Sequence, residues 1–354
     1  MAQHRKATRD EVARLARTSA AVVSYVVNGG PRPVAPATRQ RVLEAIEQLG
    51  YRPNGLARAL RAQRSRTLGL VVPDTSNPFF AELAHAIEDA SYRAGYTLLV
   101  GNASDQPTRE TAYLKAFVES RVEGVLLAST GSASASIMEL SQLGAAVVVI
   151  DRRLPTVPAA TITTDNESGG YMATRHLIEH GHGTVACIAG PSDVTPSADR
   201  HRGWARALAE AGLPSGSELL IRSAFNEAGG YRAAKQLFQQ QVTPGALFIS
   251  SDTQAIGAMR AAWECGLEIP DDVALVAFDG ITAAGFTTPG LATVAQPIHV
   301  LGHHAVARLM ERIAGRSTEP TEDTLAVSLV KRGSCGCAEN AAENTPPKLA
   351  NQGF

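Results

Sequence analysis

Polar and aromatic side chains follow several short apolar runs of this sequence. An acid, an amide and two phenylalanines come after the run 68–72, and an acid and an arginine come after the run 146–150. Planar bidentate groups can hydrogen-bond vicinal hydroxyls while aromatic rings cover apolar faces, so these residues predict a site for a polyhydroxylated, sugar-like ligand. The residues chosen on this ground are Asp74, Asn77, Phe79, Phe80, Asp151, Arg152, Arg200, Ser251, Asp252 and Asp279.

An ordinary structural role is open for several of these residues. Asp74 and Asp252 are also placed to cap following helices, Phe80 is suited to the core, and a role for Asp279 in its own turn alone is open. Arg200 is harder to explain by packing, because an arginine that follows a strand and a loop has no apolar surface to fill.

Catalytic and metal-binding patterns are weak in this sequence. His176, His180 and His182 form H-x-x-x-H-x-H, but no Glu completes an H-E-x-x-H motif, and Gly181 predicts a helix end that turns His182 away. The pair Cys335 and Cys337 has no second Cys pair or nearby His in the sequence to complete a metal site. We therefore interpret the histidines as structural residues and the two cysteines as ordinary thiols of the tail. The sequence contains no G-x-G-x-x-G after a first strand, no P-loop and no G-x-S-x-G elbow, and we therefore expect no enzyme, cofactor or metal.

The elements that must position the ligand-binding residues alternate along the chain. From residue 67 on, short apolar runs alternate with amphipathic stretches in βαβα order, which favours doubly wound parallel sheets. About 270 residues exceed one comfortable sheet, so we expect two similar subdomains with a cleft between them. Ligands of such sheets bind at the carboxyl ends of the strands, where the polar residues lie.

Charge separates the first 66 residues from the rest. They carry 13 Lys or Arg against 4 Asp or Glu, a net charge of +9, whereas the remainder carries −10, so the total of −1 hides two opposite parts. A basic segment on an acidic body indicates a polyanion partner for that segment. Four scattered cysteines and no apolar run of 18 residues predict a cytoplasmic protein rather than a secreted or membrane-bound one.

The basic segment is predicted to form three short helices. A capping box at 8–11 starts the first, Ser19 starts the second, and the third runs from Pro36 to Leu49 with Gly50 at its end. Three helices around a small core are typical of a helix-turn-helix unit, whose second helix enters the major groove of DNA. The DNA-contacting residues predicted here are Thr8, Arg9, Ser19, Ala20, Ala21, Ser24, Tyr25, Asn28 and Arg39. A basic helical module that binds protein is the alternative.

The basic segment formed by the first 66 residues, called the head from here on, carries a specific signature over about fifty residues. It reads D-E-V-A at 10–13, S-x-V-V-N at 24–28, and T-R-x-R-V-x-x-A-I-x-x-L-G-Y-x-P-N-x-x-A-R-x-L at 38–60. In these residues the chain resembles the LacI/GalR repressor family. The resemblance implies that the segment around Asn54, Ala57 and Arg58 is a hinge that becomes helical on operator DNA, and that Leu60 wedges into the minor groove.

The resemblance extends more loosely over residues 5–335, and it implies a periplasmic-sugar-binding-protein fold for the body. It adds Phe225 and Gln296 to the residues that line the cleft. Tyr25 stands where the family usually has arginine, Arg17-Thr18 where it has Gly-Val, and Ser251 where sugar binders often have Asn.

The predicted function is a transcriptional regulator that binds a palindromic operator as a dimer, because one head contacts only a half-site. A transporter's solute-binding protein would share the body but would need a secretion signal and no basic head. The predicted domains are a helix-turn-helix domain at 1–52, a hinge helix and linker at 53–66, an N-subdomain at 67–163 plus 294–326, a C-subdomain at 164–293 plus 327–337, and a tail at 338–354 that we expect to be disordered.

Overall fold

The computed structural model describes residues 7–28, 30, 32–51, 65–129, 134–142, 144–154, 159–240, 244–317 and 319–338. Residue contacts divide the chain into two units, 1–65 and 66–354, and each is described by itself. Four predicted DNA contacts, Asn54, Ala57, Arg58 and Leu60, lie outside the described residues, as does most of the predicted tail.

The first unit contains three helices, α1 (Arg9–Leu15), α2 (Ala20–Asn28) and α3 (Pro36–Leu49). The predicted capping box is present: Glu11 N donates to Thr8 Oγ1 over 3.3 Å, and Thr8 N donates to Glu11 Oε2 over 2.7 Å. Gly50 ends α3 in the left-handed conformation. Local sequence signals therefore set the bounds of these helices.

The core of the first unit is small and consists mainly of short apolar side chains. Val12, Val23, Val42 and their neighbours are buried, but Leu15 and Leu43 are each 44% exposed. Leu43 lies about 100° around the helix from Val42, so both cannot face one small core.

The second unit contains two six-stranded sheets among its described residues. The first has the order β11-β5-β4-β3-β1-β2, with all strands parallel. Its strands are β1 (Thr67–Val72), β2 (Thr97–Asn102), β3 (Gly124–Leu127), β4 (Ala146–Ile150), β5 (Ala160–Thr164) and β11 (Glu322–Leu325).

The second sheet has the order β12-β10-β9-β8-β6-β7, and only its edge strand β12 is antiparallel among the pairs described. Its strands are β6 (Val185–Ala189), β7 (Leu220–Arg222), β8 (Ala246–Ile249), β9 (Ala274–Asp279), β10 (Ala292–Ala295) and β12 (Ser328–Val330).

Helices connect the strands and cover the sheets. Alternate residues of β1 face different cores, with Leu70 in one apolar cluster and Val71 in another, because successive side chains of a strand point to opposite faces. The helices are α4 (Pro78–Arg93), α5 (Pro107–Glu119), α6 (Ser134–Gln142), α7 (Asn166–Glu179), α8 (Thr195–Ala211), α9 (Glu227–Phe238), α10 (Asp252–Glu264) and α11 (Ile298–Ile313). None of the helices in the described part of the chain is long and apolar enough to span a bilayer.

The chain passes between the two sheets three times. The crossovers lie between β5 and α7, between β10 and α11, and between β11 and β12. The boundary that we predicted at 293/294 falls inside β10, all of which pairs in the second sheet. Short strands of this kind carry too few residues for a periodicity to place a boundary.

Helices α7 and α8 approach each other closely through two glycines. A Cβ on Gly203 would lie 2.1 Å from the carbonyl oxygen of Glu167, and one on Gly170 would lie 2.2 Å from that of Arg200. The two backbones therefore touch where a larger residue would hold them apart.

Candidate functional site

A cavity of about 340 Å³ lies between the carboxyl ends of the two sheets. This volume is in the range of small-molecule sites. Nine of the residues predicted to bind ligand line it: Asp74, Asn77, Phe79, Phe80, Asp151, Arg152, Arg200, Phe225 and Asp279.

Arg200 is held on the second-sheet side of the cavity by four contacts. Its Nε donates to Asn166 Oδ1 over 2.8 Å, and its Nη1 donates to the carbonyl oxygen of Ser250 over 2.6 Å and to Asp279 Oδ1 over 3.1 Å. The guanidinium carbon lies 3.7 Å from the centre of the Phe278 ring, in a cation-π contact. The guanidinium is therefore fixed in one orientation before any ligand arrives.

Asp279 connects Arg200 to a crossover between the sheets. Besides Arg200, its Oδ1 accepts from Gln296 Nε2 over 2.9 Å, and Gln296 Oε1 accepts from Thr164 Oγ1 over 2.7 Å. Burial raises the pKa of Asp279, while the Arg200 guanidinium and the Gln296 amide act in the opposite direction. Ionisation of the Asp279 carboxyl group is thus costly unless Arg200 and Gln296 stay in place.

The first sheet contributes aromatic and amide groups to the cavity. Phe79 and Phe80 begin α4 and contact each other edge to face, with ring centroids 5.1 Å apart. Asn77 caps this helix by accepting from Phe79 N over 3.0 Å, and Asp74 accepts from the backbone and hydroxyl of Ser76. The structural and ligand-binding interpretations of Asp74 and Asn77 are therefore compatible, since each caps a turn and also lines the cavity.

Asp151 and Arg152 follow β4 as predicted. Asp151 has a positive φ of 66° and is buried, and burial raises its pKa against the opposing charges of Arg152 and Arg200. Arg152 donates from Nη1 to the carbonyl oxygen of Ser129 over 3.1 Å. The cavity thus contains two arginines and at least two buried carboxylates, a set that can donate to and accept from neighbouring hydroxyls.

Three predicted ligand-binding residues lie beneath the cavity and are not among the residues described as lining it. Ser251 caps α10 by accepting from Gln254 N over 3.2 Å. Asp252 is fully buried and accepts from Gly280 N, Ile281 N and Thr293 Oγ1 over 2.6 to 2.8 Å, so it stabilises the turn after β9. Gln296 supports Asp279 from below.

Several residues of the cavity wall were missed by the sequence reasoning. Asp105 follows β2, Asp193 follows β6, and Asn226 follows the three-residue strand β7. The same rule, to look just after each strand, would have found the first two. It failed for Asn226 because β7 is too short to give a periodicity.

In the head, the predicted DNA contacts differ in exposure. Thr8, Ser19, Ala21 and Arg39 are exposed, whereas Arg9, Ala20, Ser24 and Tyr25 are half-buried, and nothing is described of the Asn28 side chain. Ser19 Oγ accepts from Val22 N over 3.3 Å and so caps α2 at its start, where Ser19 and Ala21 are exposed.

The turn between α1 and α2 contains one departure from the family pattern, Arg17, and the departure has a conformational cost. Arg17 has a φ of 50°, which a glycine adopts without strain and an arginine adopts at a cost. Glycine is the residue that the resembling family usually has there. Arg17 therefore adopts a backbone conformation that suits glycine better.

We expect Thr8→Ala to destabilise the head by about 1 kcal/mol, because it removes the acceptor for Glu11 N at the start of α1. Thermal unfolding of the full-length protein, followed by circular dichroism, should show a lower midpoint for the transition in which the first unit unfolds. Thr8→Ser, which retains the hydroxyl, is the control. Equal losses in both variants would contradict the capping role.

The structure corrects the interpretation of the Cys335 and Cys337 pair as lacking a nearby histidine. His176 and His180 lie beside it in space, 155 or more residues away along the chain. His182, the third histidine of the motif, is not in this group. Tertiary folding brings the two weak patterns together, which spacing in the sequence did not reveal.

Comparisons with known proteins match both units. A family described as bacterial regulatory proteins, lacI family, matches residues 8–54, and one described as periplasmic binding proteins and sugar binding domain of LacI family matches residues 65–332. The HTH-type transcriptional repressor PurR of Erwinia tasmaniensis is 36% identical over 330 residues, which cover 93% of this chain and 96% of that protein.

Solved structures agree with these family matches. A transcriptional regulator CelR–cellobiose complex has 32% identity and a TM-score of 0.70, covering 93% of this chain and 100% of its own. A lac repressor dimer bound to operator and the anti-inducer ONPF has 25% identity and a TM-score of 0.82, covering 94% of this chain and 99% of its own. With a helix-turn-helix head, two parallel-sheet subdomains and these relatives, the chain belongs to the LacI family of bacterial regulatory proteins.

Proposed function

We propose that this regulator is a repressor that binds a palindromic operator as a homodimer and responds to a mono- or disaccharide in the cavity between its sheets. The observation that carries the sugar assignment is the buried pair of Arg200 and Asp279, fixed beside the phenylalanines of the cavity.

The chemistry of the cavity supports a sugar over an apolar or strongly charged effector. Arg200 and Arg152 offer planar donors, while Asp151 and Asp279 offer acceptors, so vicinal hydroxyls find partners of both kinds. Phe79 and Phe225 add apolar faces for the C–H surface of a pyranose. The cellobiose held by CelR is a ligand of this class.

Effector and DNA would be coupled through the three crossovers. The hydrogen bonds from Arg200 through Asp279 and Gln296 to Thr164 run from the cavity to two of these crossovers. A ligand that engages Arg200 or Asp279 changes the balance of this chain of bonds and so favours one arrangement of the subdomains. By linkage, effector and operator must then alter each other's affinity by the same factor.

The basic head supports the DNA partner. Its +9 charge attracts phosphates, and the accessible first turn of α2 can reach base edges. One head covers a half-site, so two copies are needed for a palindrome. The lac repressor is a dimer on its operator.

The test is binding of the purified protein to DNA from beside its own gene, measured by fluorescence anisotropy over a salt titration. We expect tight binding to a palindrome with a steep salt dependence, and one saccharide of a panel should shift the affinity about 5- to 150-fold. Scrambled DNA of the same length is the control. Weak binding that ignores both sequence and saccharides would overturn the proposal, and a shift caused only by a non-sugar metabolite would overturn the ligand class.

A further inference from the structure

A cluster of two histidines and two cysteines lies at the C-terminal end of α7. His176 and His180 are one helical turn apart on that helix, with ring centroids 4.4 Å apart. His176 Nε2 lies 3.3 Å from Cys335 Sγ and 3.6 Å from Cys337 Sγ, and His180 Nε2 lies 3.5 Å from Cys337 Sγ. Four groups that bind soft metal ions therefore converge from two distant parts of the chain.

The backbone that carries the cysteines is held against the second sheet. Ser334 Oγ accepts from Ala292 N over 2.8 Å and donates to the carbonyl oxygen of Leu275 over 2.8 Å, so this segment is joined to β10 and β9. Gly336 lies between the cysteines with a φ of 84°, a conformation that a glycine adopts freely. The turn places both thiols beside the histidines, and Cys335 Sγ also donates to the carbonyl oxygen of Arg332 over 3.1 Å.

The spacing of three of these groups fits the ligands of a zinc ion, and the fourth lies beside them. Zn–S distances of about 2.3 Å and Zn–N distances of about 2.0 Å place sulfur and nitrogen ligands about 3.6 Å apart. Three of the four nitrogen-to-sulfur pairs in the cluster are 3.3 to 3.6 Å apart. His176, His180 and Cys337 have ligand atoms within 4.8 Å of one another, whereas Cys335 lies outside that set and contacts it through His176, so its thiol must turn to complete a tetrahedron. We propose that His176, His180, Cys335 and Cys337 form a structural zinc site.

The ligand set suits a closed structural site rather than a catalytic one. Four protein ligands leave no open position for water, and two thiolates balance the charge of Zn²⁺, which favours its binding at this half-buried place. None of the four residues is among those that line the cavity between the sheets. The site is therefore separate from the effector-binding function.

The zinc would fasten the segment after β12 to α7. That helix begins with Asn166, which holds Arg200, and ends at the cluster about 20 Å away, at 1.5 Å per residue. Binding of the metal to the folded chain stabilises it by mass action. The metal thus secures the last part of the chain on the helix that supports the effector pocket.

The test is the zinc content of the full-length protein, purified in reductant and dialysed against a weak chelator. We expect one zinc ion per chain by mass spectrometry of the metal. Co²⁺ should replace it and give the intense visible bands of tetrahedral cobalt together with a thiolate-to-cobalt charge-transfer band. Stripping the metal with a strong chelator should lower the unfolding temperature, and zinc should restore it.

Two ligand variants and two matched controls make the result specific. Cys337→Ser and His180→Gln change residues that are not deeply buried, so they should fold and yet lose the zinc and the charge-transfer band. Cys265→Ser and His182→Gln, outside the cluster, should retain both. A wild-type protein that takes up no zinc, zinc retained in both ligand variants, or a Cys335–Cys337 disulfide formed in place of metal binding would each overturn the proposal. None of these measurements involves DNA binding, so their outcome is independent of whether the protein is a repressor.

Discussion

Arg200→Ala should weaken binding of the effector about 100-fold or more while specific operator binding without effector is retained. The substitution removes a fixed donor from the cavity, and a hydrogen bond to a charged group is worth about 1.5 to 3 kcal/mol. It also removes the cation that opposes the effect of burial on Asp279, so the pKa of that carboxyl rises further and more of it is protonated, which makes it a poorer acceptor. The loss of the donor at Arg200 and the weaker acceptor at Asp279 both lower the affinity for the effector.

Calorimetric titration with the active saccharide measures the loss of effector affinity. Fluorescence anisotropy with labelled operator measures the operator affinity without effector. Arg202→Ala is the matched control, since Arg202 lies on the same helix but is exposed and pairs with Glu167 and Asp199 at the surface. An Arg200→Ala protein that binds and responds to the saccharide like the wild type would remove Arg200 from the site. The variant should also unfold more readily by about 3 kcal/mol, because it leaves a buried acid without its cation.

Gly203→Ala should lower the free energy of unfolding by roughly 3 kcal/mol, at the upper end of what overpacking costs. The new Cβ would meet two backbone atoms of α7, the oxygen of Glu167 at 2.1 Å and the nitrogen of Tyr171 at 2.5 Å, and backbone cannot move aside as a flexible side chain can. Helices α7 and α8 must then separate. Since Asn166 is on one and Arg200 on the other, their 2.8 Å hydrogen bond should lengthen and effector affinity should fall as well.

Urea unfolding followed by the fluorescence of buried Trp204 measures the first effect. Gly183→Ala is the control, because a Cβ there meets nothing within 4 Å and the backbone has no positive φ. We expect it to change stability by less than about 0.5 kcal/mol. Equal stability of the two variants would mean that α7 and α8 tolerate a wider separation than their contact indicates.

Features fixed by neighbouring residues could be predicted from the sequence. The capping box at Thr8, the end of α3 at Gly50 and strand β4 follow from local patterns, and the structure places them at the predicted residues. The rule that ligands bind after the ends of parallel strands also predicted Arg200 and Asp279 as ligand-binding residues, and both line the same cavity. Each of these inferences needs only a few adjacent residues.

Features fixed by distant residues could not be predicted in this way. Strands β7 and β12 have three residues each, too few for an alternation to stand out. Gln296 and Asp252 have the residue types of a ligand site, but the fold directs them to buried backbone and side-chain partners beneath it. The histidine and cysteine cluster joins residues 155 or more positions apart, and no spacing rule covers such a separation.

The threading of the chain through both sheets has a consequence for its synthesis. The last two strands, β11 and β12, are edge strands of different sheets, and α11 packs on the first sheet only after the chain has passed through the second. A nascent chain thus carries two unfinished sheets until about residue 330 has left the ribosome. Translation delivers the head early and both subdomains close together near the end, so premature termination between β10 and β11 leaves neither subdomain with its complete sheet.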